Sequence, residues 1–179
     1  AGSYVIFWII RHINFDPDSN KRSTICIAIA CAILSSFFPD NIICCSHAAM
    51  ESHVALVYSR EKILVIPNGF DLDAYRADSE ARRLVRNELG LEDNTYLVGL
   101  VARFHPQKDH QNFLQAGGLI RKIIPSVNFV LCGVDVNNEN IPLTDWMNEA
   151  ELGECCHLLG LRNDIPRIVA ALDVAVSSS

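Results

Sequence analysis

Two cations, Arg103 and Lys108, stand five positions apart in the stretch LVGLVARFHPQKDHQNFLQA, Leu97 to Ala116. The apolar run ahead of them (Leu97, Val98, Leu100, Val101) reads as a buried strand, and the amphipathic pattern after them reads as a helix. Between the two cations lies a short turn, Phe104-His105-Pro106-Gln107. An arginine grips phosphate oxygens with a planar fork of donors, and a lysine acts as a mobile point charge. At the carboxyl end of a strand, with a helix N-terminus pointing at the same space, the pair makes a site for a doubly charged anion such as phosphate or diphosphate. The alternative is two exposed surface cations beside a turn, with Asp109 available as a partner.

Other residues could join or compete with this chemistry. His12 ends the run YVIFWIIRH, where a histidine either reaches a ligand or serves the structure; Arg11 beside it is a weaker candidate. Gly133 and Gly160 each follow an apolar run, so each is a place for close backbone approach or an ordinary turn. Asp71-Leu72-Asp73 has an Asp-x-Asp form, but it follows the Pro67-Asn68-Gly69 turn, where capping roles suffice. The pairs His47/His53 and His105/His110 lack zinc spacing with cysteine partners. No GxGxxG follows a strand and there is no Walker P-loop, which counts against a nicotinamide dehydrogenase and a P-loop nucleotidase.

Elements that would hold such a site alternate along the chain. The expected strands are Tyr4 to Ile10, covered on both faces, then Asn41 to Cys45, Lys62 to Pro67, Tyr96 to Ala102, Asn128 to Cys132, Cys156 to Leu159 and Val174 to Val176. Helices are expected up to about Phe37, after Ser46 as N-cap, from Ser79 to Leu89 with Gly90 as the stop, from Asp109 to Ile124, around Leu143 to Leu152, and from Asp164 to Ala171. Repeated strand–helix alternation implies parallel sheets covered by helices. The Pro-Asn-Gly turn and the charged stretch after it divide the chain near Gly69 into 1–69 and 70–179.

Composition bounds the rest. The chain has 179 residues, 50% hydrophobic and 20% charged, with a net charge of -6, which argues against nonspecific nucleic-acid binding. Seven cysteines without a CxxC pair read as reduced, buried thiols of a cytosolic protein. Ser23 to Phe38 is strongly apolar but shorter than the roughly 20 residues of a bilayer span, and it carries four hydroxyl side chains. The first reading is a buried helix packed on a sheet, the second a membrane-associated helix. The start Ala-Gly-Ser-Tyr-Val and the apolar end ALDVAVSSS make an internal fragment the expectation.

Several pieces, in order and spacing, resemble the family 4 (group 1) glycosyltransferases of the GT-B fold: KILVIPNGFDLDAY, VGLVARFHPQKD, VLCGVDV and HLLGLRNDIPRIVAALDVAVSSS. FWIIRH followed by IICCSHAA resembles the later part of such an enzyme's first domain. The resemblance implies an α/β fold with parts of two Rossmann-like domains. Residues 1–69 would end an acceptor-side domain and 70–179 would begin the domain that binds the donor nucleotide.

It further implies a retaining, metal-independent transferase, hexosyltransferase-like, that uses a nucleotide-diphospho-sugar such as a UDP-sugar in polysaccharide synthesis. No cofactor is expected beyond that donor. Arg103 and Lys108 match the family's Arg-x4-Lys element for the donor diphosphate, and His12 matches a histidine near the donor sugar. Gly133, Gly160 and Leu161 fall where backbone approaches the nucleotide, the base lying near GLRND. A glycan or lipid-linked acceptor, a cytoplasmic location at the inner face of the membrane and peripheral membrane association of the full-length protein are the partner expectations. Ala102 departs from the glycine common before the arginine, and the Glu-x7-Glu element expected shortly after Ser179 is outside the chain. The 179 residues are therefore expected to be inactive alone. A sugar-nucleotide epimerase of the same architecture and a noncatalytic nucleotide-sugar-binding module remain as alternatives.

Overall fold

The computed structural model describes residues 4–11, 15 and 20–178. It divides into two compact units, Ala1–Phe70 and Asp71–Ser179. In the first, strands β1 (Phe7–Ile10), β2 (Asn41–Cys44) and β3 (Ile63–Val65) pair in parallel in the order β1-β2-β3. Helix α1 (Arg22–Ser35) joins β1 to β2, and α2 (His47–Ala55) leads toward β3. Ser46 caps α2 by accepting a bond from Ala49 N at 3.1 Å.

Both helices pack on one face of this small sheet, where Ala32, Ala49, Ile42, Cys44 and Ile63 form the core. Successive side chains on a strand point to opposite faces, so the other face is left open: Phe7, Ile9 and Leu64 are exposed. The expectation that the first strand is covered on both faces fails for that reason, and the strand starts at Phe7 rather than Tyr4.

The reading of Ser23 to Phe38 as a buried helix also needs correction. Helix α1 meets the core through Ala28, Ala32 and Ser35, an i, i+4, i+7 stripe of small side chains, while Ile27, Ile33, Phe37 and Phe38 are exposed. Tyr58 and Lys62 pin it: Tyr58 Oη donates to Ala28 O, and Lys62 Nζ donates to Ser36 O and Pro39 O at the helix end. No helix among the described residues is long and apolar enough to cross a membrane.

The second unit begins with α3 (Ser79–Glu88), capped by Asp78 and ended by Gly90 at φ 69°. Then follow β4 (Leu97–Val101), a 3-10 turn at Pro106–Lys108, α4 (His110–Ile123), β5 (Asn128–Cys132), α5 (Ile141–Glu149), β6 (Cys156–Leu158), α6 (Ile165–Ala171) and β7 (Val174–Ala175). The strands are parallel in the order β6-β5-β4-β7. Leu131, Phe129 and Leu100 face a core closed by Phe113, Leu114, Leu143 and Met147 from α4 and α5. Leu97 and Val130 face Val85, Ile168 and Ala171 from α3 and α6. The sheet grows from β4 through β5 to β6 and then returns to add β7 on the other side of β4. The strand order therefore reverses at β4, and the crevice outside the strand ends at such a reversal is where open α/β sheets bind ligands.

Not every cysteine is buried. Cys44, Cys132, Cys155 and Cys156 are, but Cys26 is exposed on α1, and among the described residues all seven are free thiols.

Candidate functional site

The chain leaves β4 at Ala102 into a loop held by backbone bonds to the exit of β5. Ala102 N donates to Cys132 O at 2.9 Å and Phe104 N donates to Val134 O at 2.8 Å. Arg103 sits between these two bonds with its side chain exposed, and among the described residues nothing holds its guanidinium. The next exit joins the same cluster: Gly133 N donates to Gly160 O and Gly160 N donates to Val136 O, both at 2.8 Å.

Gly133 is required where it stands. Its φ is 157°, and a Cβ added there would overlap the Ala102 carbonyl group and lie 2.8 Å from Arg103 N. Gly160 has φ 63°, with no atom within 4 Å of an added Cβ, so it serves the left-handed turn rather than close packing. Leu161 beyond it is exposed. The carboxyl edge of this sheet thus brings Arg103, Gly133, Gly160 and Leu161 together.

Lys108 follows at the end of the 3-10 turn. Its backbone is fixed at both ends, N to His105 O at 2.8 Å and O to Ser178 Oγ at 2.5 Å. The turn is built by His105, whose Nδ1 accepts from Gln107 N, and by Asp109, which adopts φ 45° and caps α4 at Asn112 N. The N-terminus of α4 thereby sits directly after the lysine. His12 lies outside the described residues; Arg11 beside it is exposed. Asp71 spends its carboxylate on its own turn, accepting from Asp73 N at 3.0 Å and Ala74 N at 3.2 Å. Among the described residues no group of three or more His, Cys, Asp and Glu is gathered as for a metal ion.

Two features of this edge escaped the sequence reading. One is an ion cluster beside Leu161: Arg162 donates to both carboxylate oxygens of Asp164 at 2.8 Å and to Glu88 at 2.6 Å, and Arg167 joins at 3.0 Å. The hydrogen bond from Arg162 holds the Asp164 carboxyl below its ordinary range. The alternation Arg-x-Asp-x2-Arg was the signal in the sequence, but Glu88 comes from a distant helix.

The other is His110, 2% exposed at the first turn of α4, with no hydrogen-bond partner for either ring nitrogen among the described residues. Burial pushes its pKa down, against the nearby Ala102 carbonyl and Asp109, which favour the charged form. Its ring lies 5.4 Å from that of Phe104, tilted at 51°, and Phe104 lies 5.8 Å from Trp146; with His105, Pro106 and Pro142 these rings line a largely apolar cleft of about 420 Å³.

The carboxyl edge of this sheet thus carries an exposed arginine on a loop bonded to the β5 exit, a lysine just ahead of a helix N-terminus, and three strand exits joined by backbone bonds. Known proteins agree with that architecture. The chain is 31% identical over 169 residues to the UDP-Gal:alpha-D-GlcNAc-diphosphoundecaprenol alpha-1,3-galactosyltransferase of Escherichia coli, a match that takes in 92% of this chain and 43% of the relative. The chain thus spans less than half of that relative's length.

Among solved structures, Anabaena HepE in complex with UDP-glucose superposes with a TM-score of 0.80 at 24% identity, covering 98% of this chain and 47% of that one. The sucrose-phosphate synthase of Thermosynechococcus elongatus gives a TM-score of 0.76 at 19% identity, over 96% of this chain and 44% of its own. These likenesses show the α/β fold with parallel sheets, the GT-B architecture. The model of the glycosyl transferases of group 1 matches residues 81–179, more than half of the chain, and the chain belongs to that family.

Proposed function

We propose that this chain is the central part of a retaining, metal-independent glycosyltransferase that moves a sugar from a UDP-sugar to a glycan or lipid-linked acceptor in polysaccharide synthesis. In this reading 1–69 ends the acceptor-side domain and 70–179 begins the donor-side domain. No cofactor besides the donor is needed. The full-length protein works at the cytoplasmic face of a membrane, where a lipid-linked acceptor would be found. The carrying observation is the exposed Arg103 on a loop fixed to the β5 exit where the strand order reverses.

In the transfer, the C1–O bond between sugar and diphosphate breaks, the acceptor oxygen bonds C1, and the acceptor's proton is released. Negative charge grows on the leaving diphosphate. Arg103 and Lys108 stabilise that charge more strongly in the transition state than in the ground state, so they raise the rate and not only the affinity. Removing one such donor costs about 10²–10³ in rate. Gly133, Gly160 and Leu161 let backbone lie against the nucleotide, and His12 orients the donor sugar. The 179 residues alone, which match 43% of the relative, are expected to transfer nothing.

The test gives the full-length protein a UDP-sugar labelled in the sugar and an acceptor. Label in a glycoside, with the anomeric configuration kept, supports the reading. Label found only in an epimerised donor makes the protein an epimerase, and bound but unchanged donor makes it a binding module.

A further inference from the structure

Between β6 and α6 the chain changes the way it is held. Up to Gly160, backbone bonds fix it to the exit of β5: Leu159 N donates to Leu131 O at 2.9 Å, and Gly160 N to Val136 O and Gly133 N to Gly160 O at 2.8 Å. Beyond the left-handed turn at Gly160, no backbone–backbone bond holds Leu161, Arg162 or Asn163 among the described residues. Their N–H and C=O groups are therefore open to a ligand, and the side chain of Leu161 is exposed beside them. A segment held by nothing else would have no set position.

The side chain of Arg162 supplies the anchor. One fork of its guanidinium closes on Asp164 within the loop, Nε and Nη2 each donating to a carboxylate oxygen at 2.8 Å. The other reaches Glu88 on α3, Nη1 at 2.6 Å and Nη2 at 3.3 Å. Bidentate pairs of this kind fix direction as well as distance. Neither carboxylate is placed for the benefit of its own helix. Asp164 is the N-cap of α6 yet makes no capping bond, although an aspartate there ordinarily accepts from the first turn. Glu88 is the last residue of α3, where a negative charge opposes the helix dipole. The arginine between them accounts for both. With four bonds to carboxylates already made, Arg162 acts through the loop it holds and not as a further phosphate ligand.

We propose that Arg162, clamped by Glu88, is a positioning residue that sets the choice of nucleobase: it fixes the backbone of 161–163 so that N–H and C=O groups there meet the edge of a uracil. The inference rests on the proposed function, which lays the nucleotide against Gly160 and Leu161. Uracil presents a donor N–H between two carbonyl acceptors. Cytosine has an acceptor nitrogen in place of that donor and an amino group in place of one carbonyl. A backbone fixed to pair with the first therefore mismatches the second. Without the clamp the loop can shift to suit either base.

The full-length protein is titrated calorimetrically with UDP, CDP and inorganic diphosphate. Glu88→Ala and Arg162→Ala are expected to weaken UDP about tenfold, the worth of one hydrogen bond, and to shrink the preference for UDP over CDP by a similar factor. Diphosphate, which carries no base, should bind both variants within about twofold of the parent. A general loss of stability would weaken all three ligands alike and leave their ratios unchanged. The Glu88 side chain is 43% exposed at a helix end, so Glu88→Ala keeps the fold and decides the outcome if Arg162→Ala does not. Unchanged UDP affinity in Glu88→Ala, an unchanged UDP-to-CDP ratio, a parallel fall of UDP and diphosphate, or a parent that binds UDP and CDP alike overturns the proposal. A parent that binds neither UDP nor diphosphate sinks the transferase reading as well. A parent that binds both, with variants that match it, sinks this inference alone.

Discussion

Replacing Gly133 by alanine adds one methyl group and should disturb both the stability and the proposed site of the second unit. The new Cβ would overlap the Ala102 carbonyl group and come within 2.8 Å of Arg103 N. Neither neighbour can yield cheaply, because Ala102 N and Phe104 N are bonded to Cys132 O and Val134 O, and Gly133 N to Gly160 O. Opening the contact means lengthening at least one of these bonds, worth about 0.5–1.5 kcal/mol net, on top of an overpacking cost of about 1–3 kcal/mol. A loss of about 2–4 kcal/mol is expected. At about 4–8 °C per kcal/mol for a unit of this size, Tm falls by roughly 10 °C or more.

Gly160→Ala is the internal comparison. There φ is 63° and no atom lies within 4 Å of the added carbon, so only the left-handed strain of about 1 kcal/mol applies. Thermal melts of the two variants, with UDP titrated into each folded protein, check the reasoning. Gly133→Ala should melt well below Gly160→Ala and bind UDP more weakly than the parent. A Gly133→Ala protein within about 2 °C of the parent, or a Gly160→Ala protein that suffers as much, would refute it.

Two further expectations concern buried charge. Asp173 is pushed up by burial, but Leu97 N, Arg82 and Arg86 outweigh that and hold it below its ordinary value. Its partner Arg86 is fully buried, bonded to Asp173 at 2.6 Å and to Thr95 O at 2.6 Å. Asp173→Asn leaves the arginine uncompensated and should cost about 3–5 kcal/mol in urea unfolding at pH 7. In the parent this contribution is complete above the unfolded carboxyl value and disappears as pH falls through the lower folded one, so parent and variant should converge in strong acid. His110 has a lowered pKa, so its neutral form is favoured by folding; stability is complete above the unfolded value of about 6.5 and declines as pH drops below it. His110→Leu, which breaks no hydrogen bond, should flatten the stability slope between pH 7 and 5 without abolishing it, because half-buried His157 is shifted the same way by burial. An unchanged slope contradicts this.

The strand–helix alternation was legible because buried parallel strands are continuous apolar runs and Ser46 marks a helix start locally, whereas the caps at Asp78, Asp109 and Asn140 emerge from the structure. The exit position of Arg103 followed from the same local pattern. What joins the exits was not legible: Gly133 against Ala102–Arg103 is a contact between separate loops, and no periodicity encodes it. Nor was Arg86, which sits among Arg82, Arg83 and Glu88 in a helix that reads as solvated, yet points inward to four carbonyls and a carboxylate. The facing of α1 was misjudged because large apolar residues suggest burial, whereas the small residues Ala28 and Ala32 decide which side fits against the sheet.

The central claim is that Arg103 and Lys108 hold the donor's diphosphate, and calorimetric titration of UDP and of uridine into the full-length protein tests it most directly. Each charge-assisted bond contributes about 1.5–3 kcal/mol, so Arg103→Ala/Lys108→Ala should weaken UDP at least about a hundredfold. Uridine, which lacks the phosphates, should bind the parent and the variant alike. Equal UDP affinity in the two proteins, with unchanged turnover, would contradict the account.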